Sequence, residues 1–173
     1  MKKFLAVIGL ALILTGCSLG NMDNTPTKKV EEYLNDYQTL NSNVLSKLDS
    51  LVDQEEMFDE DQKTTYRDIL KKHYQDLTYK IKEETINGDK ATVEVEIEVN
   101  DYTKALKEAE NYKNENTDID DTAYNNYRLD LLKSSNERVK YTIYFSLTKV
   151  NNEWTLDDLT ETEQDKILGI YEY

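Results

Sequence analysis

The chain has one thiol, and the residues around it set its chemistry. Cys17 closes the run Leu14-Thr15-Gly16-Cys17, which follows Lys2, Lys3 and an apolar stretch from Phe4 to Ile13. A positive start, a short apolar run and small residues before a cut make an export signal. An ordinary secretory signal needs no cysteine at the junction. A membrane-spanning helix needs about 20 apolar residues, and here polar residues begin at Thr15. The thiol fits a lipobox: lipid is attached to sulfur as a thioether, and cleavage between Gly16 and Cys17 leaves a diacylglyceryl cysteine first in the mature chain. Two acyl chains hold a protein to a membrane stably, whereas one does so only marginally. The sequence therefore predicts a lipoprotein signal over 1–16, a tether over 17–24 and one domain over 25–173. It places that domain on the extracytoplasmic face of the cell membrane, with the lipid on Cys17 as its membrane partner.

Little other chemistry can be assembled. His73 is the only histidine, and with Cys17 lipidated no zinc or transition-metal site of ordinary ligands exists. Asn114, Asn116, Asp118 and Asp120 imitate the start of a calcium loop. Ile119 then stands where glycine is needed and Asn125 where a bidentate glutamate is needed, so the segment reads as a solvated acidic loop. His73 has the intrinsic pKa of a general base, but alone on a helix beside Tyr74 it reads as a packing residue. There is no nucleophile elbow and no free cysteine, and Gly20, Gly88 and Gly169 cannot build a phosphate loop. No catalytic residue, metal or cofactor is expected. A pocket-based enzyme would need a carboxylate such as Glu83 or Asp158 as base, and nothing distinguishes either.

Cleavage takes the chain from 173 to 157 residues and, by losing Lys2 and Lys3, takes the net charge from −14 to −16. That length suits one domain and is too short for a two-lobed solute-binding clamshell. No cysteine remains for a disulfide. The charge disfavours nucleic acid and anionic polymers and permits a basic protein partner. Glu94, Glu96 and Glu98 share one strand face, which reads either as a docking strip or as a wet face balanced by Lys80. Thirteen tyrosines against three phenylalanines supply apolar bodies with polar tips. Tyr33, Tyr37, Tyr66 and Tyr74 fall at helical spacing and read as core-edge residues. Tyr141, Tyr144 and Trp154 on the late strands are the candidate binding residues.

These side chains need elements to position them. Thr25-Pro26 opens a helix whose stripe of Val30, Tyr33, Leu34, Tyr37, Leu40, Val44, Leu48, Leu51 and Val52 predicts one helix to about Leu51. Asn41, Ser42 and Asn43 are weak helix formers that could bend it. A capping box of Asp59 and Gln62 starts a second helix, ending near Gln75. Val93, Val95, Ile97 and Val99 alternate with polar residues as a strand. A three-residue loop of Ile86, Asn87 and Gly88 pairs Ile81 with Val93 and Lys80 with Glu94, satisfying both faces. Residues 101–135 read as two helical stretches around a polar loop from Asn114 to Asp121. Val139 to Leu147 form a strand, and a turn at Asn151-Asn152 sets Leu147 opposite Leu156. Thr160 and Glu163 box the start of a last helix, which Gly169 ends.

Two N-terminal helices, a strand pair around Asn87-Gly88-Asp89, a late strand pair carrying Trp154-Thr155-Leu156 and the lipobox form a known outline. The chain resembles small exported Gram-positive lipoproteins with a nuclear transport factor 2-like (cystatin-like) domain. The resemblance covers most of residues 25–170 and lies in layout, without a diagnostic motif. It implies an α+β roll, with a curved antiparallel sheet packed on the N-terminal helices, often around a conical pocket. The helical insertion at 101–135 departs from the minimal layout and would cover or narrow that pocket. The expected role is binding of a small amphipathic ligand or an envelope protein. The alternative is an immunity-type lipoprotein that intercepts an exported toxin or bacteriocin.

Overall fold

The computed structural model describes residues 24–172; Gly16 and Cys17 lie outside the described residues. The fold is α+β: a four-stranded, curved, unclosed antiparallel sheet with helices. Helix α1 (Pro26–Thr39) begins as its sequence predicts, with Thr25 Oγ1 accepting from Lys28 N–H and proline in the first turn. It does not run on to Leu51. Leu40 takes the left-handed conformation at φ 53°, and the Asn41 side chain caps a new helix, α2 (Ser42–Asp53), by accepting from Val44 N–H at 2.9 Å. The left-handed residue costs about 1 kcal/mol, offset by that cap and by the Leu40 and Asn41 N–H groups closing on Tyr37 and Asp36 carbonyls. Val44, Leu48 and Val52 still reach the core that Val30 and Leu34 enter. The break therefore leaves the apolar stripe intact.

Helix α3 (Glu60–Gln75) carries the predicted capping box and ends at the predicted residue. Strands β1 (Thr78–Asn87) and β2 (Lys90–Asn100) then pair, but not in the predicted register. The turn is Gly88-Asp89, with Gly88 at φ 62° in the first central position. Glu84 faces Val93, a bulge falls between Ile81 and Glu83, and beyond it Ile81 faces Val95 and Lys80 faces Glu96. The reason lies in β1 itself. Tyr79 and Ile81 are apolar at odd positions and Ile86 at an even one, and one extra residue at Lys82 turns all three to the helix-side face.

Helices α4 (Thr103–Glu115) and α5 (Asp121–Ser134) form the predicted insertion. They build a second core with α3, from Phe58, Ile69, Tyr102, Ala105, Leu129 and Leu132. Strand β3 (Arg138–Val150) pairs with β2, and β4 (Glu153–Leu156) returns beside it in the predicted register, Leu147 opposite Leu156. The turn residues Asn151 and Asn152 both have positive φ, as a two-residue hairpin of this twist requires. Helix α6 (Glu161–Leu168) starts with its capping box and stops at Gly169 in the left-handed conformation. The strand order is β1-β2-β3-β4. The odd-numbered side chains of β2 and β3 fill the main core, with Val93, Val95, Ile97, Val99 and Phe145 fully buried. Each such side chain contributes roughly 2 kcal/mol of burial.

The opposite face of the sheet is wet and ion-paired. Glu96 meets Lys82 at 2.9 Å and Lys140 at 3.6 Å, and Glu98 meets Arg138 and Lys140 at 3.7 Å. Lys82 next to Glu96 holds that carboxyl below its usual pKa. The glutamate strip is thus balanced chiefly by Lys82 and β3 cations, with Lys80 displaced from the predicted position by the register. Exposed pairs of this kind add little stability.

Candidate functional site

The three aromatic residues singled out from the sequence do not form one surface. Tyr141 is buried, and its hydroxyl donates to the Tyr171 carbonyl at 2.9 Å. Trp154 is also buried, with Lys149 Nζ 5.4 Å from its ring centroid. Tyr144 lies on the other face, 55% exposed, opposite Glu94. Of the two carboxylates considered as bases, Glu83 is exposed on β1 and Asp158 stands at the rim of the groove described next. Among the described residues no group of three His, Cys, Asp or Glu side chains could hold a metal ion.

A groove of about 600 Å³ opens where α1, α2 and the end of α3 face β4 and α6. Its phenolic side is Tyr33, Tyr37 and Tyr74, set there by the stripe of α1 and the last turn of α3. Tyr33 and Tyr37 meet edge to face with centroids 5.2 Å apart and hydroxyls 3.0 Å apart, and Tyr74 stands perpendicular to Tyr37 at 4.8 Å. Leu51, Leu156, Leu159, Ile167 and Leu168 supply apolar wall, and Lys47, Asp157, Asp158 and Gln164 supply polar groups. Asp157 is held in place by the Thr148 hydroxyl, which donates to it at 2.8 Å. A second cavity of about 390 Å³, reaching Tyr66, Leu106 and Arg128, shares Leu51, Gln54 and Leu168 with the first.

Burial raises the pKa of Tyr33, Tyr37 and Tyr74, and for Tyr33 the neighbouring Tyr37 adds to it. These phenols stay neutral and act as hydrogen-bonding groups on an aromatic wall, not as bases. The site escapes a reading of sequence because the tyrosines sit in a helical stripe identical in spacing to a core stripe. The available signal was composition, since tyrosine stands where a dry core would use leucine or phenylalanine. His73 is fully buried behind the groove wall, its ring 5.8 Å from that of Tyr74. Its Nε2 is 2.7 Å from the Ile167 carbonyl, and its ring lies 5.0 Å from that of Tyr102.

Residues 1–18 match the family model of the prokaryotic membrane lipoprotein lipid attachment site. The chain is a lipoprotein, anchored to a membrane through the lipid on its N-terminal cysteine. No curated protein matches the chain. Among solved structures it is similar to one described as a lipoprotein (ycdA) from Bacillus subtilis subsp. subtilis str. 168, with 15% identity and a TM-score of 0.44. The match covers 83% of this chain and 47% of that one, so this chain spans about half its length. No helix among the described residues is long and apolar enough to cross a membrane. Cys17→Ala is expected to abolish incorporation of labelled fatty acid and release from the precursor form. A variant that still labels and matures would place the lipid elsewhere.

Proposed function

We propose that this lipoprotein acts at the extracytoplasmic membrane face by binding, and that the tyrosine-walled groove receives a small apolar or amphipathic ligand. The observation that carries this is the groove itself, whose volume lies within the several-hundred-Å³ range of ligand sites. Its lining mixes apolar side chains, among them Leu51, Leu156 and Leu168, with polar ones in similar measure. Neutral phenols next to leucines suit a ligand with an apolar body and a hydrogen-bonding head.

The test uses the domain without its lipid and a neutral fluorescent probe, N-phenyl-1-naphthylamine, displaced by long-chain fatty acid. Saturable binding is expected. Ser50→Trp places an indole at the exposed mouth and is expected to weaken binding about tenfold or more, a loss of roughly 1.4 kcal/mol, with an unchanged thermal midpoint. Equal probe affinity in Ser50→Trp and the parent chain would remove the groove as the site.

A further inference from the structure

The point where the chain leaves the domain for its anchor is fixed. Asn24 Nδ2 donates to the Asn152 carbonyl at 2.9 Å, and Asn24 Oδ1 accepts from Trp154 N–H at 3.1 Å. Asn24 is thereby held on the β3–β4 turn. Cys17 lies seven residues upstream, and seven residues reach at most about 25 Å whatever path they take. A lipid on Cys17 therefore keeps this end of the domain within that distance of the membrane.

The same end gathers both hairpin turns. The Asp89 carbonyl accepts from Lys149 N–H at 2.8 Å, tying the β1–β2 turn to the end of β3. The first turn of α1 joins them, since Thr27 donates to Glu84 from its N–H at 2.9 Å and its hydroxyl at 2.7 Å. Two large apolar side chains flank these turns with about half their surface in water: Ile86 at 52% and Val150 at 51%. The charge here is close to balanced in a chain of net charge −14: residues 24–32, 84–90 and 149–153 hold four lysines against five carboxylates, and two of these, Glu31 and Glu32, pair with Lys28 and Lys29. The acidic α4–α5 insertion, with nine acids against five bases over residues 101–137, leaves from the other end of the sheet.

We propose that this end is a membrane-docking surface, on which the anchored domain stands with both turns against lipid. Ile86 and Val150 sit at the headgroup boundary, and Lys90 and Lys149, which in the structure rest on the Thr148 hydroxyl and the Trp154 ring, turn outward to lipid phosphates. Half-exposed aliphatic residues lose unfavourable water contact there, and cations gain attraction to the anionic surface. The acidic bulk of the protein is held away from a surface that would repel it. This inference rests on the lipid attachment site and is independent of the groove.

The test exploits the single cysteine, which the lipid consumes. Ile86→Cys, Val150→Cys, Met57→Cys and Ile170→Cys each add one free thiol at an exposed position for a bimane label. Lipidated full-length chain is incorporated in phosphatidylcholine–phosphatidylglycerol vesicles with and without headgroup-doxyl lipid. Quenching by doxyl lipid is expected to be at least about twofold stronger at 86 and 150 than at 57 and 170. Equal quenching at all four positions would overturn the proposal. So would shielding of 86 and 150 from aqueous iodide without quenching by lipid, because a second copy of the chain would then occupy the surface.

Discussion

Gly169→Ala is expected to destabilise the domain by at least about 3 kcal/mol, or to detach α6 outright, and two separate effects combine to give that loss. Gly169 ends α6 with φ 69°, a conformation that costs an L-residue about 1 kcal/mol or more. It is also packed against the end of β2. A methyl group there would fall inside the van der Waals shell of the Asn100 carbonyl oxygen, 3.2 Å from the Asn100 carbonyl carbon and 3.1 Å from His73 Cε1. The obstacle is main chain on a central strand, so no rotamer change relieves it. Moving Gly169 aside also breaks the 2.8 Å bond from Tyr102 N–H to its carbonyl and loosens the start of α4. Gly88 separates the two effects. Its φ is 62°, yet an added Cβ meets nothing within 4 Å. Gly88→Ala should therefore lose only the conformational part, about 1 kcal/mol. Urea midpoints of the two variants decide the matter: equal losses would show that close packing at Gly169 contributes nothing.

The elements that were legible in the sequence are those whose partners lie within four residues. The Thr25, Asp59 and Thr160 caps, the Asn151-Asn152 turn and the Gly169 stop each satisfy their own backbone groups locally, so residue type and spacing suffice. The break at Leu40 left no trace in the apolar pattern, because α2 keeps Val44, Leu48 and Val52 in the common core. The bulge at Lys82 was readable only by noticing that the apolar residues of β1 change parity between Ile81 and Ile86. Tyr141 and Tyr144 are three apart on one strand and must face opposite sides, which already argued against a single patch. The groove was hidden for a deeper reason. It is a gap between α1–α2 and β4–α6, and a gap belongs to no segment of sequence. What the sequence did hold was its wall, written as tyrosines where leucines would have closed the space.

Acid should weaken this domain through one residue, and α6 should be the first element to feel it. Burial of His73 lowers its pKa from 6.5 to about 4; the bond to the Ile167 carbonyl opposes this, nearby Arg138 adds to it and Asp76 opposes it. The bond identifies the neutral tautomer: Nε2–H donates to Ile167, and Nδ1, buried, has no partner among the described residues. Protonating Nδ1 would bury an unpaired N–H with a full charge. The unfolded chain takes up that proton at pH 6.5 and the folded one only near pH 4, so the contribution is complete above 6.5 and is lost as pH falls through that window. Between pH 7 and pH 4.5 the loss is roughly 2 kcal/mol. His73→Phe removes the titration; it costs stability at pH 7 by leaving the Ile167 carbonyl unpaired, but its stability should vary much less over the same range. Parallel slopes for parent and variant would assign the acid sensitivity to carboxylates instead. Because Ile167 and Leu168 form groove wall, amide protection in α6, corrected for the slower intrinsic exchange in acid, should fall below pH 6 ahead of protection in β2. The His73–Ile167 bond is thus one of the contacts, with the Tyr102 N–H bond to the Gly169 carbonyl, by which the core of the domain holds one side of its candidate binding site in place.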